Sequence, residues 1–364
     1  RMLDAIVTDG LGSGNASRTI FRAFRFTVWQ ATLSTLLTLL LGLPGAYLFA
    51  RFRFPGKRLF SVFFILPFIL PTVVVVTAFT ATLGAGGWVN KVLMTIFQLD
   101  KAPLNLLNSL WAILLVHVFY NVSIVIRVVG ASWSQMDQRT VHAARVLGAS
   151  PFRTFREVTL PLLRPSILAA TLLVFLFDFA SFGVILMLGG AQFATLEVEI
   201  YIQALHLLNL PLAAVLSALQ LVSTLVLMLL YQRMQSGESV ALLPRLNSEG
   251  TRKPETLSQK FFVSLMLVTL LIFLTVPLLT LVLRSIQYTP RGEAEAVWTF
   301  QFYKELFINR RGSLFYVPPI EAVKNSLIYA FITMGFSLVL GFQIAYAFEK
   351  DSNWSRWLET AVML

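Results

Sequence analysis

Asp178 is the residue of this 364-residue chain whose placement most invites chemistry. It stands inside a long apolar block, where a carboxylate costs about 3 kcal/mol or more on insertion scales and is expected to face protein with a partner. Candidate partners are His117, Asn121 and Arg127 of an earlier block, and His117 and Asn121 share a helix face at i,i+4. Such a group can hold a cation or gate a pathway, or serve as one half of an interhelical hydrogen bond. Little other chemistry is available. The chain has no cysteine, which excludes disulfides, Cys-ligated zinc and thiol catalysis. His117, His142 and His206 are scattered, with no HExxH spacing, so no metal site is expected. No G-x-x-x-x-G-K-[ST] loop occurs, so this chain does not hydrolyse ATP through a P-loop. A membrane-embedded enzyme would need a clustered acid–base or metal set, and Asp178 with one nearby histidine does not make one.

The elements that must position these residues follow from composition. The chain is 57% hydrophobic and 13% charged, with a mean hydropathy of +0.74. Soluble domains carry roughly 25% charged residues, too many to fit this chain. Apolar blocks of about 20 residues span a hydrocarbon core of about 30 Å as helices. Seven are expected: Phe24–Phe49, Leu59–Leu83, Leu106–Val129, Pro165–Leu188, Pro211–Tyr231, Phe261–Leu283 and Ala322–Phe348. The fold class is an all-α polytopic bundle in the lipid bilayer. Pro44, Pro67, Pro71 and Pro277 fall inside spans, where neighbouring helices can satisfy the freed backbone groups.

The net charge of +11 does not point to nucleic acid, because the cations lie between apolar blocks and set orientation there. Arg51, Arg53, Lys57 and Arg58 follow the first span. Arg127, Arg139, Arg145, Arg153, Arg156 and Arg164 surround the loop after the third, and Arg233, Arg245, Arg252, Lys253 and Lys260 follow the fifth. That side is expected to be cytoplasmic. Opposite loops are poorer in cations, except for the segment Ser285–Glu321 with Arg291, Lys304, Arg310 and Arg311, long enough for a small external subdomain.

An internal repeat is legible. Gly42, Ala46, Tyr47 and Phe49 match Gly341, Ala345, Tyr346 and Phe348; in the same register Ala31 and Ser34 match Ala330 and Thr333, and Lys57 and Leu59 match Arg356 and Leu358. The repeat divides the chain into an external loop segment (1–23), a first half (24–233) with a basic loop at 130–164, a cytoplasmic linker (234–259) and the start of a second half (260–364). On this reading the sequence is cut at both ends of a two-half protein.

Within the basic loop, His142-Ala143-Ala144 is followed after three residues by Gly148, and after nine more by Val158-Thr159-Leu160-Pro161. Ala143 and Ala144 give a helix a flat surface that another protein can approach. Gly148 supplies a turn. A second short helix is expected from Pro151, proline being favoured at a helix start. Phe152 and Phe155 would face a groove, with Arg145, Arg153 and Arg156 meeting acidic groups at its rim. An amphipathic loop lying on anionic lipid would use the same residues.

This spacing resembles the EAA loop of ABC importer permeases: Glu-Ala-Ala, three residues, Gly, nine residues, Ile, any residue, Leu-Pro. His142 stands in place of the Glu and Val158 in place of the Ile. The resemblance implies a type I importer permease, with His142, Ala143, Ala144, Gly148, Leu160 and Pro161 in the loop that couples to a cytoplasmic ABC ATPase dimer. A cofactor is implied only there, as ATP-Mg on the ATPase. Where the family has an acid, neutral His142 can still accept a hydrogen bond.

Further segments resemble the fused branch of the family that handles thiamine or iron(III): Phe26-Thr27-Val28-Trp29-Gln30-Ala31, His117-Val118-Phe119-Tyr120-Asn121, Phe179-Ala180-Ser181-Phe182, Leu188-Gly189-Gly190 and Thr195 to Tyr201. This implies a small cationic solute delivered by an extracytoplasmic binding protein; the carboxylate inside its apolar block, read by itself, makes His117, Asn121 and Asp178 the candidate pathway or gate. Glu197 and Glu199 are candidates for docking that protein, or else a solvated helix face. The competing reading is a secondary transporter driven by an ion gradient, which would need no EAA spacing and no ATPase.

Overall fold

The computed structural model describes residues 14–104, 106–235, 251–288, 297–308 and 318–349. The described residues are overwhelmingly helical. Seven helical segments among them are long and apolar enough to cross a membrane: Ala16–Arg51, Thr72–Phe97, Leu110–Gln135, Pro151–Phe179, Leu210–Met234, Leu257–Ser285 and Pro319–Tyr346. Helices suit this setting because they satisfy their own backbone polar groups where water cannot.

The first unit, residues 1–282, is built around two packed helices, α1 (Gly14–Arg51) and α6 (Leu110–Gln135). Small residues let their backbones meet. A Cβ on Gly42 would lie 2.6 Å from Val125 Cβ, and one on Gly45 would lie 2.8 Å from Ile126 Cδ1. Close approach of this kind is what holds helices together in lipid, where apolar burial alone gives no drive.

Between them the chain runs through α2 (Lys57–Phe63), α3 (Leu66–Ile69), α4 (Thr72–Leu83) and α5 (Trp88–Phe97). The expected second span, Leu59–Leu83, is therefore not one helix. Pro67 starts a short turn and Pro71 caps α4, so the membrane-length segment is shifted to 72–97. Tyr120 Oη donates to the Leu70 carbonyl at 3.2 Å, satisfying a backbone group at the Pro71 break.

Beyond α6 come α7 (Gln138–Val146) and α8 (Pro151–Thr154), which passes through one wide turn at Phe155–Thr159 into α9 (Leu160–Phe179). The fourth span was expected from Pro165, with a separate short helix before it. Instead the helix is unbroken from Pro151 to Phe179. Pro161 lacks an N–H, and the helix widens just before it rather than ending. It stops at Phe179, and α10 (Gly183–Leu188) resumes after a three-residue break. Then follow α11 (Leu196–Tyr201), α12 (Leu210–Gln235) and α13 (Leu257–Ser285).

Burial separates core from periphery. The most apolar window of α6 is 78% buried and that of α12 only 17%. Leu221, Val222, Leu225, Val226 and Leu229 of α12 are exposed, as a lipid-facing surface requires. Val263, Met266, Leu270 and Leu274 of α13 join Val75, Phe79, Ile113 and Phe119 in the main core. Packing thus divides the chain at Val282–Leu283, later than the polar linker at 234–259, because charge marks exposure rather than the limit of packing. Residues 236–250 of that linker lie outside the described residues.

The N-terminal segment also differs from expectation. Residues 14–23 were assigned to an external loop, yet they are the first turns of α1, held by Ala16 and Ala23 in a core with Leu196, Leu212 and Leu216. Residues 1–13 lie outside the described residues.

The second unit, from residue 283, holds a two-stranded antiparallel pair, β1 (Gln287–Tyr288) with β2 (Val297–Trp298), then α14 (Gln301–Glu305) and α15 (Pro319–Glu349). Tyr303 Oη and Ser285 Oγ are 2.7 Å apart. The repeat partners Arg356 and Leu358 lie outside the described residues.

Candidate functional site

Three helices bring a polar cluster together inside the first unit. Asp178 is fully buried one residue before the end of α9. Asn121 Nδ2 donates to Asp178 Oδ1 at 2.7 Å, and His117 Nδ1 lies 3.5 Å from the same oxygen. His117 Nδ1 also lies 3.0 Å from Ser34 Oγ on α1, and its Nε2 lies 2.8 Å from Ser181 Oγ in the helix break. Two of the expected partners, His117 and Asn121, are thus confirmed as neighbours of Asp178. Arg127 is not among them; it lines a separate cavity with Lys57 and Arg58.

Gln30, which sequence reasoning did not single out, completes the cluster. Its Nε2 donates to the backbone carbonyl of Asp178 at 2.7 Å. The last four carbonyls of a helix lack intrahelical partners, and Gln30 supplies one. Two acceptor oxygens, Gln30 Oε1 and Asp178 Oδ2, have no donor among the described residues. The arrangement ties α1, α6 and the end of α9 at one depth. It can act as a lock between helices, and its two free acceptors suit a proton or cation.

The basic loop forms a second constellation at one end of the bundle. Asp137 caps α7 by accepting from Arg139 N at 2.8 Å. At the other end Gly148 adopts φ +88°; its N–H reaches the Arg145 carbonyl and Ala149 N–H reaches the Ala144 carbonyl, each at 3.0 Å. That pair of bonds is a Schellman closure, and it needs a left-handed residue at Gly148. A Cβ there would meet nothing within 4 Å, so the backbone conformation, not crowding, selects glycine. Ser150 Oγ then accepts from Arg153 N, and Pro151 opens the next helix.

The tip of this turn is apolar and bare. Val146 and Leu147 are 87% and 88% exposed, and Phe152 is 72% exposed. His142 and Ala143 are exposed beside it, with Ala144 half-buried. Sequence reasoning missed Val146 and Leu147, whose apolar pair next to the turn glycine was the available signal. Phe155 does not join Phe152; its ring stacks on Trp133 at 6.3 Å. Arg153 pairs locally with Glu157 at 2.9 Å. Leu160 and Pro161 sit about 14 Å along the helix from Pro151, away from the tip.

On the opposite side, Glu199 is buried and accepts from Gln203 Nε2 at 2.8 Å, which removes it from any docking surface. Glu197 accepts from Gln220 Nε2 at 3.2 Å; burial pushes its carboxyl above the usual range, and that hydrogen bond opposes the shift. Neither is a solvated face. Asn90, also unforeseen, bonds the Gly84 carbonyl and both backbone groups of Leu104, pinning the loop between α5 and α6.

A paired-helix knob at one end of a bundle of membrane-length helices is a recognisable plan, and comparison with known proteins decides the family. The family model for the binding-protein-dependent transport system inner membrane component matches residues 19–238. The chain belongs to this family. It is a multi-pass inner-membrane component. The thiamine transport system permease protein ThiP of Brucella abortus (strain 2308) is 34% identical over 221 residues, covering 60% of this chain and 40% of the relative. The ThiP of Salmonella typhimurium (strain LT2) is 31% identical over 290 residues, covering 77% of this chain and 53% of the relative. The chain thus spans about half the length of these relatives or less. In fold it is similar to a chain of a bacterial alginate ABC transporter crystallised with its alginate pentasaccharide-bound periplasmic protein: TM-score 0.50 at 20% identity, covering 64% of this chain and 85% of that one.

Proposed function

We propose that this chain is the permease part of an ATP-driven importer, and that its solute is small and cationic, with thiamine ahead of iron(III). The observation that carries the reading is the turn at Gly148. A rigid two-helix knob presents Val146, Leu147 and Phe152 to the side of the membrane richest in Lys and Arg. Such apolar exposure on a polar end of a membrane protein asks for a protein partner. A cytoplasmic ABC ATPase dimer, carrying ATP-Mg, is that partner, and His142, Ala143, Ala144 and Gly148 lie at the contact. Leu160 and Pro161 shape the helix that supports the knob. The chain itself does no chemistry.

Thiamine is favoured because relatives matched at 31% and 34% identity are thiamine permeases. An extracytoplasmic binding protein delivers the solute, meeting the external face near Glu197. The cluster of Asp178, His117 and Asn121 serves as a gate, since it joins three helices that must part when access alternates. Two tandem halves supply the moving bodies, α15 corresponding to α1.

Uptake of labelled thiamine and of iron(III) tests this, in cells carrying the full-length gene with and without its ATPase. ATPase-dependent uptake of thiamine is expected. Uptake that persists without the ATPase would replace this reading with a gradient-driven transporter.

A further inference from the structure

A cavity of the first unit opens at the Arg-rich end, between α1, α6, the α7–α9 knob and the start of the segment leading to α13. Its volume is about 870 Å³. Arg51, Arg145 and Arg252 line it together, with no carboxylate among its lining residues. None of the three has a carboxylate partner among the described residues. Arg252 is fixed there by backbone: its N–H donates to the Arg51 carbonyl at 3.0 Å and its carbonyl accepts from Arg53 N at 2.9 Å. Three cations held around one space repel each other unless an anion joins them.

A second, independent feature points the same way. Trp133 lines the cavity, is 94% buried by its 6% exposure, and its Nε1–H has no acceptor among the described residues. A buried donor without a partner is expensive, and an acceptor oxygen in the cavity would satisfy it. Gln138, His142, Thr154 and Thr159 add neutral polar groups to the wall, and an apolar stretch of Leu43, Pro44, Leu163 and Ile167 continues from the cations along α1 and α9. The ligand that matches has a negatively charged, oxygen-rich head and an apolar body.

We propose that this cavity is a binding site for an anionic phospholipid of the Arg-rich leaflet, its phosphate held by Arg51, Arg145 and Arg252 and accepting from Trp133 Nε1. Basic pockets at the membrane surface between helices hold acidic lipid headgroups by the same pairing. The site lies against α7, so lipid bound there would brace the knob against the bundle. The proposal does not depend on the transported solute.

The test uses the full-length protein purified in detergent, examined by native mass spectrometry and by titration with vesicles of phosphatidylglycerol or of phosphatidylcholine. Wild-type protein should retain phosphatidylglycerol and not phosphatidylcholine. Arg51→Gln with Arg252→Gln should weaken that binding at least about tenfold. Trp133→Phe, which keeps the ring and removes the donor, should weaken it less. Both variants should insert and elute as the wild type does. Equal retention by wild type and the double variant, or equal binding of the two lipids, overturns the proposal. Displacement of the lipid by millimolar inorganic phosphate or pyrophosphate would assign the site to a free phosphate compound instead. Loss of lipid on adding the ATPase alone, with the arginine variants indistinguishable from wild type, would assign the surface to the ATPase.

Discussion

At the scale of single residues, the decisive ones are those whose backbone or polar atoms have no alternative arrangement. Gly148 is held at φ +88° with open space where a side chain would project. An L-residue there costs about 1–2 kcal/mol of backbone strain, which Asn tolerates best. Gly148→Trp should therefore leave the permease inserted and folded while abolishing permease-stimulated ATP hydrolysis, and Gly148→Asn should retain most of it. Normal transport by the Trp variant would sink the coupling assignment. Asp178 separates a lock from a gate. Interhelical hydrogen bonds in membranes are worth about 0.6 kcal/mol on average and at most about 1.7, so Asp178→Asn should lower the thermal midpoint only slightly. If uptake collapses while the midpoint holds, Asp178 acts in the pathway; a matching loss of both leaves it structural. Glu197 gives a pH signature. Its carboxyl is raised by burial, so the folded state binds a proton more tightly than the unfolded chain. Stability from this group is full below the ordinary carboxylate value of about 4 and is lost as pH rises through the shifted value. Thermal unfolding across that window should show the decline, and Glu197→Gln should flatten it.

At the scale of elements, the contact of α1 with α6 organises the bundle. Gly42 and Gly45 let the two backbones approach, and neither Val125 nor Ile126 can retreat, because both sit in the core of α6. Gly42→Leu should destabilise by at least about 1–3 kcal/mol, seen as loss of monodisperse protein in detergent or a sharp drop in thermal midpoint. Sequence periodicity located these helices but not their interruptions. The break at Pro71 and the unbroken passage past Pro161 both involve proline, and only the neighbours tell them apart. Tyr120 reaches the carbonyl freed at the first, whereas a widened turn absorbs the second.

For the whole molecule, orientation is the property most open to direct measurement. The chain has no cysteine, so single substitutions report without background. Arg145→Cys on the knob and Lys101→Cys on the opposite loop are both at exposed positions. A membrane-impermeant maleimide should label Lys101→Cys in intact cells and Arg145→Cys only after permeabilisation. The reverse pattern would invert the topology and with it the side on which an ATPase could dock.

Sequence alone determined the bilayer as solvent, the number of spans and the basic knob, because these depend on composition, length and spacing along the chain. It also named Asp178, His117 and Asn121, because a carboxylate in an apolar block must find partners within reach. The tertiary structure decided what depends on neighbours distant in the chain. It showed that Gln30 and Ser34 close the polar cluster, that Glu199 is buried, and that Arg127 belongs elsewhere. It packed α13 into the first unit's core and set three arginines from separate segments around one cavity. Such meetings are set by helix packing across long stretches of chain, 83 residues between Ser34 and His117 and 148 between Gln30 and Asp178, and no local pattern in either helix records the partner.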